Sequence, residues 1–292
     1  MNILKVLYLS SPQEIIQKLN RRLFHPDPGK ILLENILSNT KLMRVQRVYD
    51  MLHRHQVVVG RQIDWPELDF ENRNVLELGC GLVLGYAPIA IFLGCNKYYC
   101  IEPKINEVIY TSPQFIDRYF RRLHIDLCSL FGELMAFPEF LDAIKGRVVI
   151  APSVFETDRI LKSIDVVLSN SCLEHIFPLE GTIQRLRTIT AKDCRQLHVV
   201  DFGNHRNAFG MQHAFDGIYN VDPSTFHERE PEFINLYRGC EVSRMFRDAG
   251  FDVQLIPYYY ADLEPCIPEM DSYWRNNYEL ADLSLRVGII AS

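Results

Sequence analysis

The sequence lacks two features that would place it in other protein classes. It has no excess of basic residues, because 31 lysines and arginines stand against 37 aspartates and glutamates, for a formal net charge of −6 at pH 7. A general nucleic-acid-binding protein is expected to carry a basic surface, so nucleic acid is not the expected partner. The sequence also contains no apolar run near eighteen residues, so we expect no membrane span.

Cysteine pairs are missing as well. The eight cysteines form no Cys-x-x-Cys motif and no regular spacing. We therefore expect reduced thiols in the core of a cytoplasmic protein and not a disulfide framework. Residues 1–10 are apolar but have neither a basic start nor a small-residue cleavage site, so we expect no signal peptide.

What the sequence does contain is organised around residues 74–85, which read Asn-Val-Leu-Glu-Leu-Gly-Cys-Gly-Leu-Val-Leu-Gly. An apolar run that ends in glycines before a helical pattern indicates a buried strand, a tight turn and the start of a helix. Gly79 and Gly81 let the backbone approach a ligand, because a Cβ would occupy that space. About twenty residues later, Tyr-Tyr-Cys-Ile predicts a second strand that ends at Glu102. An acid at this place in nucleotide-binding α/β sheets binds the hydroxyls of a ribose.

The same turn indicates which nucleoside it binds. A dinucleotide fingerprint, Gly-x-Gly-x-x-Gly, requires a third glycine where this chain has Leu84, and Gly85 comes one position late. Glu77 lies just before the turn, where its charge would oppose a pyrophosphate. A ligand without phosphate and with a cationic end suits that acid better. S-adenosylmethionine carries a sulfonium and an ammonium group, and it is the predicted cofactor.

Three motifs in order resemble the class I S-adenosylmethionine-dependent methyltransferases. They are Glu77-x-Gly79-x-Gly81, then Glu102, then residues 165–175, which read Asp-Val-Val-Leu-Ser-Asn-Ser-Cys-Leu-Glu-His. The closest resemblance is to small-molecule enzymes that carry Leu-Glu-His after the fourth strand. It covers residues 72–202 well and residues 237–292 loosely. It implies a Rossmann-like α/β fold, with a seven-stranded methyltransferase sheet flanked by helices.

The resemblance and the patterning together predict the organisation of the chain. Residues 1–70 are predicted to form an N-terminal helical cap or lid, and residues 71–292 the Rossmann-like domain. That domain would carry insertions at about 104–147 and 206–236, the first with one apolar helical face that either packs in the core or forms a wall of the acceptor pocket. The five later strands are predicted at residues 147–151, 163–168, 197–201, 253–257 and 285–291.

The resemblance also implies which residues hold the cofactor. The glycine turn and the acid before it would hold the methionine end, and the acid after the second strand would hold the ribose. Residues after the third strand would lie near the adenine, and those after the fourth near the methyl group. The predicted cofactor-binding residues are Glu77, Gly79, Cys80, Gly81, Glu102, Pro103, Ser153, Asn170 and Ser171.

Two histidines are candidates for catalysis. Methyl transfer from a sulfonium is an in-line displacement, in which the protein aligns the acceptor atom and excludes water. A hydroxyl acceptor also needs a general base, which a histidine can supply near neutral pH. His175 and His205 each follow a strand at the ligand edge, and His205 is favoured as base or acceptor contact. Structural alternatives remain, with His175 positioning its own loop and His205 facing solvent.

No metal site is predicted. Some related enzymes hold magnesium with Glu-x-x-Glu-His, but Ser171 stands here at the position of the first acid, which leaves only Glu174 and His175. The predicted function is methylation of an oxygen on a small-molecule or sugar-like acceptor. The alternatives are a nucleotide-dependent oxidoreductase and a non-catalytic S-adenosylmethionine-binding protein.

Overall fold

A computed structural model describes residues 44–103, 105, 108–155, 163–205, 214–215, 217–229 and 234–292. Residues 1–43 of the predicted cap, and parts of both predicted insertions, lie outside the described residues. The described chain contains seven strands, which are β1 Asn74–Leu78, β2 Lys97–Ile101, β3 Val148–Ala151, β4 Ile164–Asn170, β5 Thr190–Asp201, β6 Gln254–Tyr260 and β7 Leu285–Ala291.

The strands form one sheet in the order β3-β2-β1-β4-β5-β7-β6. The pairs among the first five strands are parallel, whereas β7 runs antiparallel to both β5 and β6. The strand order reverses between β1 and β4, and in open α/β sheets the crevice at such a reversal is where ligands bind. The predicted Rossmann-like α/β fold, with its seven-stranded sheet and antiparallel end, is confirmed.

Helices cover both faces of the sheet. The described helices are α1 Val45–Gly60, α2 Ala87–Phe92, α3 Val108–Thr111, α4 Pro113–Phe115, α5 Arg121–Phe131, α6 Phe137–Arg147, α7 Leu179–Ile189, α8 Pro223–Arg229, α9 Gly239–Asp248, α10 Ser272–Asn277 and α11 Leu280–Ser284. In the described part of the chain, none of them is long and apolar enough to cross a membrane.

The alternating direction of side chains along each strand explains why both faces of the sheet are apolar and covered by helices. Successive side chains of a strand point to opposite faces, so a strand buried on both sides reads as a continuous apolar run. In β4, Val166 and Leu168 belong to the core beneath α1, α2, α5 and α6, whereas Val167 belongs to the core beneath α7 and α9. A third apolar cluster, around Trp274, joins α8, α10 and α11.

The predicted segments need small corrections at their ends. The strand predicted at 163–168 continues to Asn170, and the strand predicted at 197–201 begins at Thr190, in a polar stretch without strand periodicity. The inserted segment forms α3 to α6 joined by a π-helical turn. Its predicted apolar face, Phe115, Tyr119 and Leu123, is buried in the core.

The turn after β1 is held by a buried carboxyl group. Glu77 is only 2% exposed and accepts hydrogen bonds from the Tyr98 hydroxyl on β2 and, at 2.9 Å, from the Tyr86 backbone N–H. From the other side, the Tyr119 hydroxyl donates to the Val83 carbonyl at 2.7 Å. Burial raises the pKa of the Glu77 carboxyl to about 7, and the two hydrogen bonds oppose that rise. Glu77 therefore ties β1, β2 and the start of α2 together.

Gly85 is the residue that makes room for this carboxyl. Its φ of +49° lies in the left-handed region, and a Cβ there would overlap the Glu77 carboxylate. Replacing Gly85 with Ala should lower the free energy of unfolding by about 2–5 kcal/mol, the left-handed backbone cost plus overpacking. Gly81→Ala is the matched control, since Gly81 has a φ of +65° with no atom within 4 Å of an added Cβ. Chemical denaturation should show a clearly smaller loss for Gly81→Ala; equal losses would mean that the carboxyl does not occupy this space.

The buried Glu77 also predicts a pH dependence of stability. Because its folded pKa of about 7 lies above its ordinary value of 4.5, its contribution is fully present below pH 4.5 and is lost as pH rises through 7. The free energy of unfolding, taken as wild type minus Glu77→Gln, should fall by on the order of 3 kcal/mol over that interval. Urea unfolding at a series of pH values measures the difference. A difference that does not change with pH would show that Glu77 is ionised in the fold.

Candidate functional site

A cavity of about 820 Å³ opens at the carboxyl ends of the parallel strands. Its wall is built by the last residues of β1 and β2 and by the segments that follow β3 and β4, so it lies beside the reversal of strand order. Volumes of this size hold drug-sized ligands and cofactors. Five of the predicted cofactor-binding residues meet in this wall, namely Gly79, Glu102, Pro103, Ser153 and Ser171.

The other four predicted cofactor-binding residues do not line the cavity. Glu77, which the sequence predicted to hold the methionine end of the cofactor, is turned into the core, as described above, and does not line this cavity. Cys80 is 4% exposed and packs in the same core. Asn170 points to the face of the sheet that α1 covers, where its amide nitrogen lies 3.7 Å from the sulfur of Met51. Gly81 does not line the cavity, and a Cβ added there would have no atom within 4 Å.

A glycine is required at position 79 because the loop after β4 packs directly against the end of β1. Its φ is +69°, its N–H donates to the Ile101 carbonyl at 2.9 Å, and an added Cβ would lie 2.5 Å from the sulfur of Cys172. The loop after β4 can therefore close on the end of β1 only because position 79 has no side chain. This contact forms part of the cavity wall.

The composition of the wall limits the ligand. Glu102 brings a carboxylate, and His175 brings an imidazole. Among the described residues of the wall there is no lysine or arginine, and the remainder is mainly apolar. A phosphate-bearing ligand would find no cationic side chain here, whereas a ligand with an apolar ring, hydroxyl groups and a positive charge would find partners for each.

Neither the cap nor the first insertion contributes to this wall in the described part of the chain. Residues 44–60 pack on the sheet and on α5, with Tyr49 edge-on to Phe131. The buried face of residues 115–123 packs in the core, which was the first of the two interpretations given for it.

The two candidate histidines lie in contact. Nε2 of His175 is 2.9 Å from Nδ1 of His205. His175 is exposed and lines the cavity, and His205 is half-buried behind it. Nε2 of His205 lies 3.5 Å from Oε1 of Glu174 and 3.5 Å from Oδ2 of Asp201. Of the two histidines, His175 lines the described cavity wall and His205 does not.

An arginine fixes the acid behind the histidines. Arg286 on β7 donates to both carboxylate oxygens of Asp201, at 2.7 Å and 2.8 Å, and also to the Ala214 carbonyl at 2.8 Å. A Cβ at Gly203 would overlap the Arg286 guanidinium, so this position must be small. Asp201 is thus held in one orientation with its charge balanced.

Burial sets the charge states in this cluster. It raises the pKa of the Glu174 carboxyl to about 8, with the nearby Asp201 charge acting in the same direction. It lowers the pKa of His205, while Asp201 opposes that shift. At neutral pH the cluster therefore favours a neutral His205 imidazole and a protonated Glu174.

Asn235 positions the loop that carries Glu174 and His175. It is buried, and its side-chain amide donates to the carbonyl oxygens of Leu173, at 2.7 Å, and Ile176, at 3.3 Å. Its backbone N–H donates to the Glu174 carbonyl at 2.8 Å. Asn235 and Arg286 could not be predicted from the sequence. Each lies far along the chain from the residues it contacts, and neither belongs to a local motif.

Comparisons with known proteins give a resemblance of fold. No protein-family model matches the sequence, and no curated protein matches it.

Similar solved structures include a Listeria monocytogenes protein provisionally named an S-adenosylmethionine-dependent methyltransferase. It has 13% identity over 85% of this chain and 98% of that chain, with a TM-score of 0.44. An S-adenosylmethionine-dependent methyltransferase from Mesorhizobium loti has 10% identity over 77% and 92%, with a TM-score of 0.41. Phosphoethanolamine N-methyltransferase 2 from Haemonchus contortus, in complex with S-adenosyl-L-methionine, has 10% identity over 89% and 59%, with a TM-score of 0.42. At these values the likeness does not bear on activity, which must be argued from the cavity.

Proposed function

We propose that this chain is an S-adenosylmethionine-dependent methyltransferase that methylates an oxygen atom of a small-molecule or sugar-like acceptor. The observation that carries the proposal is the cavity wall at the strand reversal, which combines the Glu102 carboxylate with apolar side chains and, in its described part, no lysine or arginine. S-adenosylmethionine has a ribose diol, an adenine ring and a cationic sulfonium, and it has no phosphate. The described residues include all eight cysteines and contain no disulfide, which agrees with the cytoplasmic location we propose.

The proposed arrangement of the cofactor follows the order of the strands. Glu102, at the end of β2, would accept hydrogen bonds from the ribose hydroxyls. The segment after β3, which includes Ser153 and the exposed ring of Phe155, would contact the adenine. The loop after β4, from Ser171 to His175, would lie beside the sulfonium and its methyl group.

The proposed chemistry is a single displacement. The acceptor oxygen attacks the methyl carbon in line with the carbon–sulfur bond, so that a carbon–oxygen bond forms as that bond breaks and S-adenosylhomocysteine leaves. The proton of the acceptor hydroxyl passes to His175, which lines the cavity. His205, at 2.9 Å, would share the positive charge that then resides on the histidine pair, and the Asp201 carboxylate, 3.5 Å from Nε2 of His205, would stabilise it.

Two alternatives come from other classes. A nucleotide-dependent oxidoreductase would have to hold a pyrophosphate, for which the described wall offers no cationic side chain. Calorimetric titration of the protein with NAD and with S-adenosylhomocysteine separates the two. A non-catalytic binding protein would bind S-adenosylhomocysteine without turning over, and methylation of any acceptor in a panel of sugars and hydroxylated metabolites removes that alternative.

Glu102→Ala tests the ribose contact. Loss of two hydrogen bonds to a charged group should weaken S-adenosylhomocysteine binding roughly 10²–10⁴-fold, because each contributes about 1.5–3 kcal/mol. Isothermal titration calorimetry measures the affinity, and Glu133→Ala, an exposed acid on the segment after α5, is the control. An unchanged affinity in Glu102→Ala would place the cofactor elsewhere.

The proposed role of His175 as general base is tested by measuring kcat and the affinity for S-adenosylhomocysteine separately in histidine variants. His175→Ala should lower kcat roughly 10²–10⁴-fold, the usual contribution of a general base, with little change in the affinity for S-adenosylhomocysteine. His205→Ala should lower kcat less, because His205 acts through His175. Release of S-adenosylhomocysteine with the best acceptor of the panel reports turnover, and the exposed His53→Ala serves as control. Wild-type turnover in His175→Ala would dismiss the base.

A further inference from the structure

The loops after β4 and β5 bring together donor groups that the sequence did not place side by side. Glu174, His175 and His205 can each offer one ligand atom such that the three atoms lie within 4.8 Å of one another. His205, from the loop after β5, thus brings to this cluster a third donor group, which Ser171 does not supply.

Two buried polar atoms in this cluster have no hydrogen-bond partner. Oε2 of Glu174 and Nε2 of His205 are both inaccessible, and neither makes a hydrogen bond. Glu174 is 4% exposed. A buried carboxyl oxygen without a partner is costly, and native proteins almost always satisfy such atoms. The hydrogen bond between the histidines uses Nδ1 of His205 and leaves both of these atoms unsatisfied.

The neighbouring charged groups do not provide a hydrogen-bond partner for these two atoms. Asp201 is the nearest further acid, and its two carboxylate oxygens are already bound by Arg286 and, through Oδ1, by the Gly203 N–H. That pair is electrically balanced, so it adds little net charge beside the cluster. A cation beside the cluster would accept lone pairs from the Glu174 carboxylate and the His205 imidazole, and so satisfy both atoms.

We propose that Glu174, His175 and His205 bind one divalent transition-metal ion at the edge of the cavity. Two imidazoles and one carboxylate suit zinc or cobalt, whereas magnesium prefers an all-oxygen shell. Three protein ligands leave a coordination position open, and the position of His175 in the cavity wall directs it toward the proposed acceptor. This site would replace the predicted absence of a metal.

The metal site would assist the proposed methyl transfer, but the proposal that an ion binds here does not depend on that function. An acceptor hydroxyl at the open position would have its pKa lowered by the ion and could lose its proton at neutral pH. The histidine base described above belongs to the ion-free protein, because an imidazole whose lone pair is bound to a metal cannot take that proton. Ion binding can be measured with neither methyl donor nor acceptor present, so failure of either proposal is recognised separately.

The test is calorimetric titration of the chelator-treated full chain with zinc chloride, together with the visible absorption spectrum after cobalt addition. We expect one ion per chain and the intense cobalt bands of a low-coordinate site. Glu174→Gln and His205→Ala should each weaken zinc binding at least about tenfold, since removing even a residue that only hydrogen-bonds to a metal ligand costs about 10–100-fold. His53→Ala, which removes an exposed histidine on α1, should bind as the wild type does.

The conservative variant keeps the test decisive if His205→Ala unfolds. Glu174→Gln is nearly isosteric and removes a buried acid, so it should fold, and thermal unfolding without zinc verifies this. Zinc should then raise the unfolding temperature of wild type and His53→Ala but not that of Glu174→Gln. Equal zinc affinity in wild type and Glu174→Gln, or tighter binding of magnesium than of zinc, would overturn the proposal.

Discussion

The buried carboxyl group of Glu77 determines where the first strand ends and how the chain leaves it. Hydrogen bonds from the Tyr98 hydroxyl and the Tyr86 N–H tie the end of β1 to β2 and to the start of α2. The backbone at Gly79, two residues after Glu77, meets Cys172 of the loop after β4. The cavity is the space left between these fixed strand ends. An acid in the interior thus shapes the cavity without lining it.

The second constraint is the adjacency of β4 and β5. Ser169 and Asn170 pair with His198 and Val199, so the segments that follow the two strands leave the sheet side by side. Neighbouring parallel strands bring their carboxyl ends to one edge, which is why His175 and His205 meet although thirty residues separate them. Arg286, from the antiparallel strand β7, then sets the electrostatic surroundings of the pair through Asp201. The polar cluster depends on three consecutive strands of the sheet.

Much of this architecture could be predicted from local pattern. Apolar runs that end in glycine or acid gave the strands, and the motifs after β1, β2 and β4 gave the edge at which Glu102, Ser153 and Ser171 meet. The contact of Glu77 with a ligand could not be settled this way, because the sequence does not show that a tyrosine hydroxyl on the next strand reaches its carboxyl. The start of β5 at Thr190 escaped prediction, since its residues up to Gln196 are mostly polar and only pairing with β4 makes them a strand.

The interactions that were missed share a physical cause. Asn235 and Arg286 act across 59 residues or more, through side chains that in sequence look like ordinary surface residues. The proposed metal cluster could not be foreseen from the sequence for the same reason, because donor spacing was counted within one loop, whereas the third donor comes from another strand end. Tertiary adjacency, and not composition, creates these sites.

A crystal structure of the protein grown with S-adenosylhomocysteine tests the central claim most directly. The account predicts the nucleoside in the 820 Å³ cavity, with its ribose hydroxyls on Glu102 and its sulfur beside the loop that ends at His175. A structure in which the ligand lies outside this cavity, or in which a saturating concentration leaves the cavity without it, would contradict the account.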